Sequence, residues 1–585
     1  MTRRGPAFVS GRPLVLLGGA LALAAVACSE ERAGTGPGPS DAAPTDPEIG
    51  NAAPINLTYA CGNLFVISNA RRVPITVTYR VTGTGEEGVA DLDAAPRADP
   101  ALTERTIEVR TAGTVQLFLG GRLVVARENQ GAPCSAAVAA PSAASASGSQ
   151  AGQWSAPFSW PIVAIHLVLL ADQRVLAVGR LGTPQVWDPV SGRFTAVPPP
   201  AWLFCAGQAI LPDGRVLFVG GHIDYDFGLP NTTLFSPGSN TWTSSTPMAR
   251  GRWYPSATTL GNGDVLMLAG RDQESEEVTI PEVWSNGSIR PLTAASKTLP
   301  YYPRTFLTSK GTVFVAGSAV FTPYLTTSGA GAWKSGPKHL FDSPRDYGSA
   351  VMYEQGKVLY AGGSRTTNTA EVIDLDAAAP AWKWTGSMSV PRRHLNLTVL
   401  PTGDVLATGG VGGTKFNDPT KAVYTAELWS PATGQWITLS SNAVMRDYHG
   451  TALLMPDGRV LVAGGSEAAG TPNQNNAEIF SPPYLFRGDR PTIASAPATL
   501  AYGHAFRVLT PNAASIAKVS LIRLAAVTHA FDQNTRRLRL SFTADATGLT
   551  VTAPGNGNVA PPGHYMLFIV NGLDVPSVAK IVKVN

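Results

Sequence analysis

A seven-bladed β-propeller within an all-β chain is the fold that this sequence predicts, on three observations. First, a hairpin of one design recurs seven times: a polar turn, a valine, a short apolar run, and usually a closing glycine. The anchoring valines are Val175, Val216, Val265, Val313, Val358, Val405 and Val460. Second, successive anchors lie 41, 49, 48, 45, 47 and 55 residues apart, the period of four-stranded propeller blades. Third, 60 glycines and 47 prolines punctuate short runs rich in Thr, Val and aromatic residues, and helical periodicity is nearly absent past the first thirty residues.

Residues 1–27 read as an export signal: Arg3 and Arg4 lead a short apolar stretch, Leu14 to Ala27, that ends in small residues. The stretch is short for a transmembrane helix. Ala25-Val26-Ala27-Cys28 resembles a bacterial lipobox, with alanine where leucine is usual. On that reading Cys28 carries lipid, and the protein is a membrane-anchored lipoprotein exported across the inner membrane, periplasmic or at the cell surface. An ordinary signal peptide that ends near a cysteine is the alternative. Residues 28–52 are a Gly, Pro, Ala, Asp and Glu tether. Residues 53–134 alternate as a small β-sandwich domain, and 135–152 form an Ala/Ser linker without a core. The propeller occupies 153–486. Its outer strands are marked by tryptophan and phenylalanine, which are expected to pack between neighbouring blades. Gln153-Trp154 reads as a detached outer strand of the last blade, closing the ring. From 487 to 585 the hairpin period stops, and alternating strands suggest an immunoglobulin-like β-sandwich.

The formal charge of +4 falls to +1 once Arg3, Arg4 and Arg12 leave with the leader. No Lys/Arg stripe points to nucleic acid. The chain has four cysteines: Cys28, Cys61, Cys134 and Cys205. Export favours pairing, and Cys61 with Cys134 brackets the N-terminal domain; such a bridge stabilises by roughly 4 kcal/mol in the chain-entropy picture. Cys205 is then the odd cysteine.

The hairpin register carries the functional signal. Eleven residues before each anchor stand Ala164, Cys205, Tyr254, Tyr302, Tyr347, His394 and His449. Equivalent positions in a ring of blades face one point, so a thiol, three phenols and two imidazoles are directed at a common site. Each residue alone has a plainer reading as core packing, and a buried thiol is often an inert apolar residue.

Four segments resemble motifs of the copper radical oxidases, galactose oxidase and glyoxal oxidase. They are Phe204-Cys205-Ala206-Gly207, Arg252-Trp253-Tyr254-Pro255-Ser256, Arg446-Asp447-Tyr448-His449-Gly450 and Val527-Thr528-His529-Ala530. The junction Ser481-Pro482-Pro483-Tyr484-Leu485 and the tail from Ala560 extend the likeness, in family order. The resemblance implies a kelch-type propeller and an alcohol or aldehyde oxidase that uses dioxygen and releases hydrogen peroxide. It implies copper held by Tyr254, Tyr448, His449 and His529, a ligand set suited to Cu(II). It further implies a Cys205–Tyr254 thioether that carries a tyrosyl radical, with Tyr448 as the base. Trp253, Tyr302, Tyr347 and His394 are candidates for the substrate pocket, Trp253 shielding the radical. Two departures bear on substrate. Ala269-Gly270-Arg271-Asp272 lacks the tryptophan that galactose oxidase places after the second strand of this blade, and no counterpart of its sugar-binding arginine stands out. Simple primary alcohols or hydrated aldehydes are therefore expected before galactose, with saccharide ends a further option. Two readings without catalysis stand beside this one: a kelch propeller that binds glycan or protein at the cell surface, and a copper-storage protein.

Overall fold

A computed structural model describes residues 55–61, 64–69, 74–92, 104–110, 113–128, 148–364, 366–468 and 471–585. The leader, the tether, Cys28 and the proposed Cys61–Cys134 bridge lie outside the described residues.

Seven antiparallel units of at least four strands each follow one another between Gln153 and Ser481. Their innermost strands are His166–Leu169, Gly207–Ile210, Ser256–Thr259, Thr305–Leu307, Ser349–Glu354, Asn396–Val399 and Gly450–Leu454. Each pairs with the strand that carries the anchoring valine, and all seven valines are 0% exposed, which explains why β-branched residues recur there. In the second unit, Asp213 Oδ1 accepts the Arg215 N–H at 3.0 Å and Gly214 takes φ +92°. These residues close the polar turn of the repeat. Among the described residues no sheet closes on itself, and the first six units each have an outer strand of their own. The last borrows its fourth strand from the start of the region, with Trp154 paired to Phe480 and Gln153 to Ser481, as the detached-strand reading expects.

The outer tryptophans reach back to the preceding unit. The indole N–H groups donate from Trp242 to Val197 O at 2.9 Å, from Trp333 to Ala295 O at 2.8 Å, from Trp436 to Gly386 O at 2.7 Å and from Trp154 to Ser440 O at 2.9 Å. Tryptophan is selected because it fills the gap between units and satisfies a carbonyl with one side chain. Glycine ends the second strand for steric reasons. A Cβ on Gly220 would stand 2.1 Å from Arg252 O, and one on Gly464 would stand 2.5 Å from Ala164 O.

The region from 487 holds two sheets around their own core of Leu500, Val508, Leu521, Leu549 and Leu567 among others. One hairpin, Ala526–Thr528 and Phe531–Asp532, leaves this sandwich. It adds itself to the innermost strand of the first unit, where Val527 pairs with Leu167. The described N-terminal strands form two antiparallel sheets over a shared core that includes Phe65, Ile67, Val77 and Val115. Gly148–Ala151 forms a helical turn, and Gly148 sits where a Cβ would meet the Phe486 ring at 2.9 Å.

Candidate functional site

Six of the seven register residues share an uncommon backbone conformation. Cys205, Tyr254, Tyr302, Tyr347, His394 and His449 have φ between 44° and 68°, and His529 has φ 46°. Non-glycine residues in this region cost of order 1–3 kcal/mol each and persist only where the surroundings over-determine them. Backbone hydrogen bonds between successive units do so here. Tyr254 N–H donates to Cys205 O at 2.9 Å, Tyr302 N–H to Tyr254 O at 3.0 Å, and His394 N–H to Tyr347 O at 2.8 Å.

A repeated buried ion pair braces these turns. Arg252, Arg345, Arg392 and Arg446 each stand two residues before Tyr254, Tyr347, His394 and Tyr448. Their guanidinium groups meet Glu282, Glu371, Glu427 and Glu478 on the third strands at 2.9, 2.9, 2.5 and 3.0 Å. Burial lowers the pKa of each arginine and the partner glutamate opposes the shift. Sequence reading missed this device, although an Arg-x-Tyr/His pattern with a third-strand Glu signals it.

The turns bring the chemistry together. The Tyr254 hydroxyl is hydrogen-bonded to the Tyr448 hydroxyl, and His529 Nε2 lies 3.1 Å from it. His529 Nδ1 bonds Thr528 Oγ1 at 2.6 Å. The His449 ring lies 4.7 Å from the His529 ring and 3.7 Å from the Tyr448 ring. His449 Nδ1 donates to Ser466 O, which leaves the lone pair on Nε2, and that buried nitrogen has no hydrogen-bond partner among the described residues. Burial takes His449 down to about 3. Burial, with the neighbouring His449 and His166, holds His529 well below the usual imidazole value. Both imidazoles are neutral at physiological pH, the form that ligates metal. Among the described residues no group of three His, Cys, Asp or Glu could hold a metal, so an ion at this place needs the two phenols as ligands. Two imidazoles and two phenols suit Cu(II), and a metal bond would account for the orphaned Nε2.

Cys205 is buried in the same cluster as Trp253, Tyr254, Tyr302 and Tyr448. Trp253 stacks on Tyr254, ring centroids 3.8 Å apart and planes 6° from parallel; its indole donates to His222 Nδ1 at 3.0 Å. Residues 269–272 hold no tryptophan, and the indole on the Tyr254 ring is that of its chain neighbour Trp253. Arg271 instead pairs with the Trp253 backbone and bonds the Tyr301 hydroxyl at 2.6 Å. Tyr301 donates in turn to Asp226 at 2.8 Å and meets both Trp253 and Tyr254 edge-on.

The other expected pocket residues also converge, with a different character. Tyr302 is buried, stacks on His529 at 4.5 Å and donates its hydroxyl to Ala206 O at 3.0 Å. His394 is buried and bonds Phe416 O at 2.8 Å. Tyr347, half-buried, stands edge-on to Tyr448. Half-buried Trp202, Tyr225, Tyr301, Tyr347 and Phe416 surround the buried cluster. Of these, sequence reading found only Tyr347; Tyr301 was signalled by its place beside Tyr302, and the others by nothing local.

Known proteins resemble this chain in sequence and in fold. Residues 348–484 match the family model "Glyoxal oxidase N-terminus", and 490–584 match "Galactose oxidase-like, Early set domain". A galactose oxidase of Gibberella zeae is 29% identical over 487 residues, covering 74% of this chain and 71% of that one. An aldehyde oxidase GLOX of Vitis pseudoreticulata is 30% identical over 442 residues, covering 65% of this chain and 81% of that one. A solved fungal alcohol oxidase of the AA5 family, in complex with copper, shares the fold with TM-score 0.67 and 24% identity, over 74% of this chain and 100% of its own. On these matches, and on its clustered phenols and imidazoles, the chain belongs to the galactose oxidase and glyoxal oxidase family of copper radical oxidases.

Proposed function

We propose that this protein is an extracytoplasmic copper radical oxidase. It oxidises primary alcohols, or aldehydes as their hydrates, with dioxygen and releases hydrogen peroxide. One observation carries the reading: two phenols and two neutral imidazoles converge from three separate segments of the chain, and His449 Nε2 has no hydrogen-bond partner among the described residues. Tyr254, Tyr448, His449 and His529 would hold the metal, and Cys205 would join Tyr254 through a thioether. When bound, copper and the thioether radical together supply the two-electron redox capacity that ordinary side chains lack.

The protein's own groups divide the remaining work. Tyr448, as phenolate, accepts the substrate hydroxyl proton. Tyr254, joined to Cys205, would supply the one-electron oxidant facing the carbon that bears the hydroxyl. Thr528 and Ser466 fix the two imidazole orientations. Trp253 covers one face of Tyr254 and keeps solvent from it. The balance is alcohol plus dioxygen to aldehyde plus hydrogen peroxide.

The seven units are proposed to close as a seven-bladed kelch-type propeller. Trp154 pairing to Phe480 supports this, as does the hydrogen bond from Thr451 Oγ1, in the last unit, to Ala164 O before the first, at 2.9 Å. Anchoring is proposed through lipid on Cys28 alone. Trp202, Tyr225, Tyr301 and Phe416 around the site favour small alcohols or aldehydes over galactose.

The test is peptide mass spectrometry of copper-treated mature protein. Cys205 and Tyr254 should appear as one species lighter by two hydrogens, and Cys205→Ser should lose oxidase turnover while keeping its fold. Separate, unmodified peptides after copper and air would leave a binding protein instead.

A further inference from the structure

Asp532, Gln533 and Asn534 follow His529 closely and line a small polar cavity with Arg523, Arg536 and Thr259. It has room for about one water-sized species. The four arginines that brace the catalytic turns are each neutralised by a glutamate, whereas Arg523 and Arg536 are not. Both are buried, at 2% and 6% exposure, yet neither has a salt bridge among the described residues. Arg523 donates to the carbonyls of Ile210 and Pro562, and Arg536 to those of Asn558, Val559 and Leu307.

Two donors on its lining residues, Arg523 Nε and Gln533 Nε2, have no hydrogen-bond partner among the described residues. The Gln533 oxygen is already taken, accepting the N–H groups of Gln208 at 3.1 Å and Ala257 at 2.9 Å. The Asp532 carboxylate, alone of its kind in the lining, spends Oδ1 on the N–H groups of Ala526, Asn534 and Thr535 at 3.0, 3.1 and 3.0 Å. Two guanidinium charges against one carboxylate leave a formal surplus of positive charge in a buried place, which is costly. A water could accept both donors without cancelling that charge. A small anion does both.

We infer that this cavity binds one small monovalent anion of the chloride type. The anion ties Arg523, on the strand Ile516–Arg523, to Gln533, whose oxygen grips the innermost strands of two units. It thereby locks the hairpin that delivers His529.

The experiment uses the full chain. Crystals soaked in bromide should give an anomalous peak within hydrogen-bonding reach of Arg523 Nε and Gln533 Nε2. Thermal unfolding in sodium chloride should show a saturable rise in midpoint that sodium gluconate at equal ionic strength does not reproduce. Gln533→Glu keeps the side-chain shape and adds a second carboxylate. This variant should lose both the bromide peak and the chloride dependence, as should Arg523→Met if it folds. A water-like feature without anomalous signal, or equal midpoints in the two salts, overturns the inference.

Discussion

Replacing Glu478 by glutamine tests whether the buried arginine–glutamate pairs hold the turns that present the site. Glu478 Oε2 meets Arg446 at 3.0 Å, and Oε1 accepts the Ala443 N–H at 2.7 Å. Arg446 also donates to the carbonyls of Gly464 and Asn476, two residues from Tyr448. Glu478→Gln preserves shape and an acceptor but strands the guanidinium, which is 1% exposed. Removing one partner of a buried pair costs about 3–5 kcal/mol, and the retained amide oxygen argues for the lower end, about 3 kcal/mol. The seven units make up about 330 residues, and roughly 2.1 cal/mol/K of unfolding entropy per residue gives about 0.7 kcal/mol/K, so the midpoint should fall by about 4 °C. Tryptophan fluorescence during a thermal ramp is the assay. Glu282→Gln should behave alike, its partner Arg252 being equally enclosed. A fall below about 1 °C for Glu478→Gln refutes the bracing argument.

Three further outcomes are expected. Trp253→Leu removes a stacked pair worth about 0.5–1.5 kcal/mol beyond its area; the fold should persist while the oxidase inactivates faster during turnover, and unchanged progress curves would count against the shielding role. Trp333→Phe keeps the ring but strands Ala295 O, costing about 1–3 kcal/mol, read as a lower denaturant midpoint at unchanged slope. For Glu371, burial pushes the carboxyl up, but His339, the Leu340 N–H and Arg345 outweigh it, so its folded value lies below the ordinary 4.5. Its contribution is therefore present above pH 4.5 and is lost as pH falls through the lower folded value. The gap in thermal midpoint between the parent and Glu371→Gln should be widest near neutrality and narrow in acid; a gap constant down to about pH 3 would refute the assignment.

Much of the site was legible because the repeat is periodic. The valine anchors mark a register, and the register marks equivalent turns, so Cys205, Tyr254 and His449 could be placed at one height without coordinates. The left-handed backbone at these turns was not legible. A hairpin pattern reports which face is buried, and says nothing of the dihedral that re-aims one residue. Nor were the arginine–glutamate braces, whose partners lie 26 to 35 residues apart in sequence.

By itself, then, the sequence determined the seven-fold hairpin period, the outer tryptophans and the list of residues with the right chemistry. These follow from local rules: alternation, turn composition and spacing. Tertiary structure decided the rest. The Ala526–Thr528 strand leaves its own sandwich to pair with His166–Leu169, and only that pairing carries His529 to within 3.1 Å of the Tyr254 hydroxyl. Trp253, adjacent to Tyr254 in the chain, lies flat on its ring because the turn at Tyr254 is left-handed and the Arg271 backbone holds Trp253 in place. Residues far apart in the chain meet only when separate sheets pack, and that packing free energy has no local signature for a sequence to display.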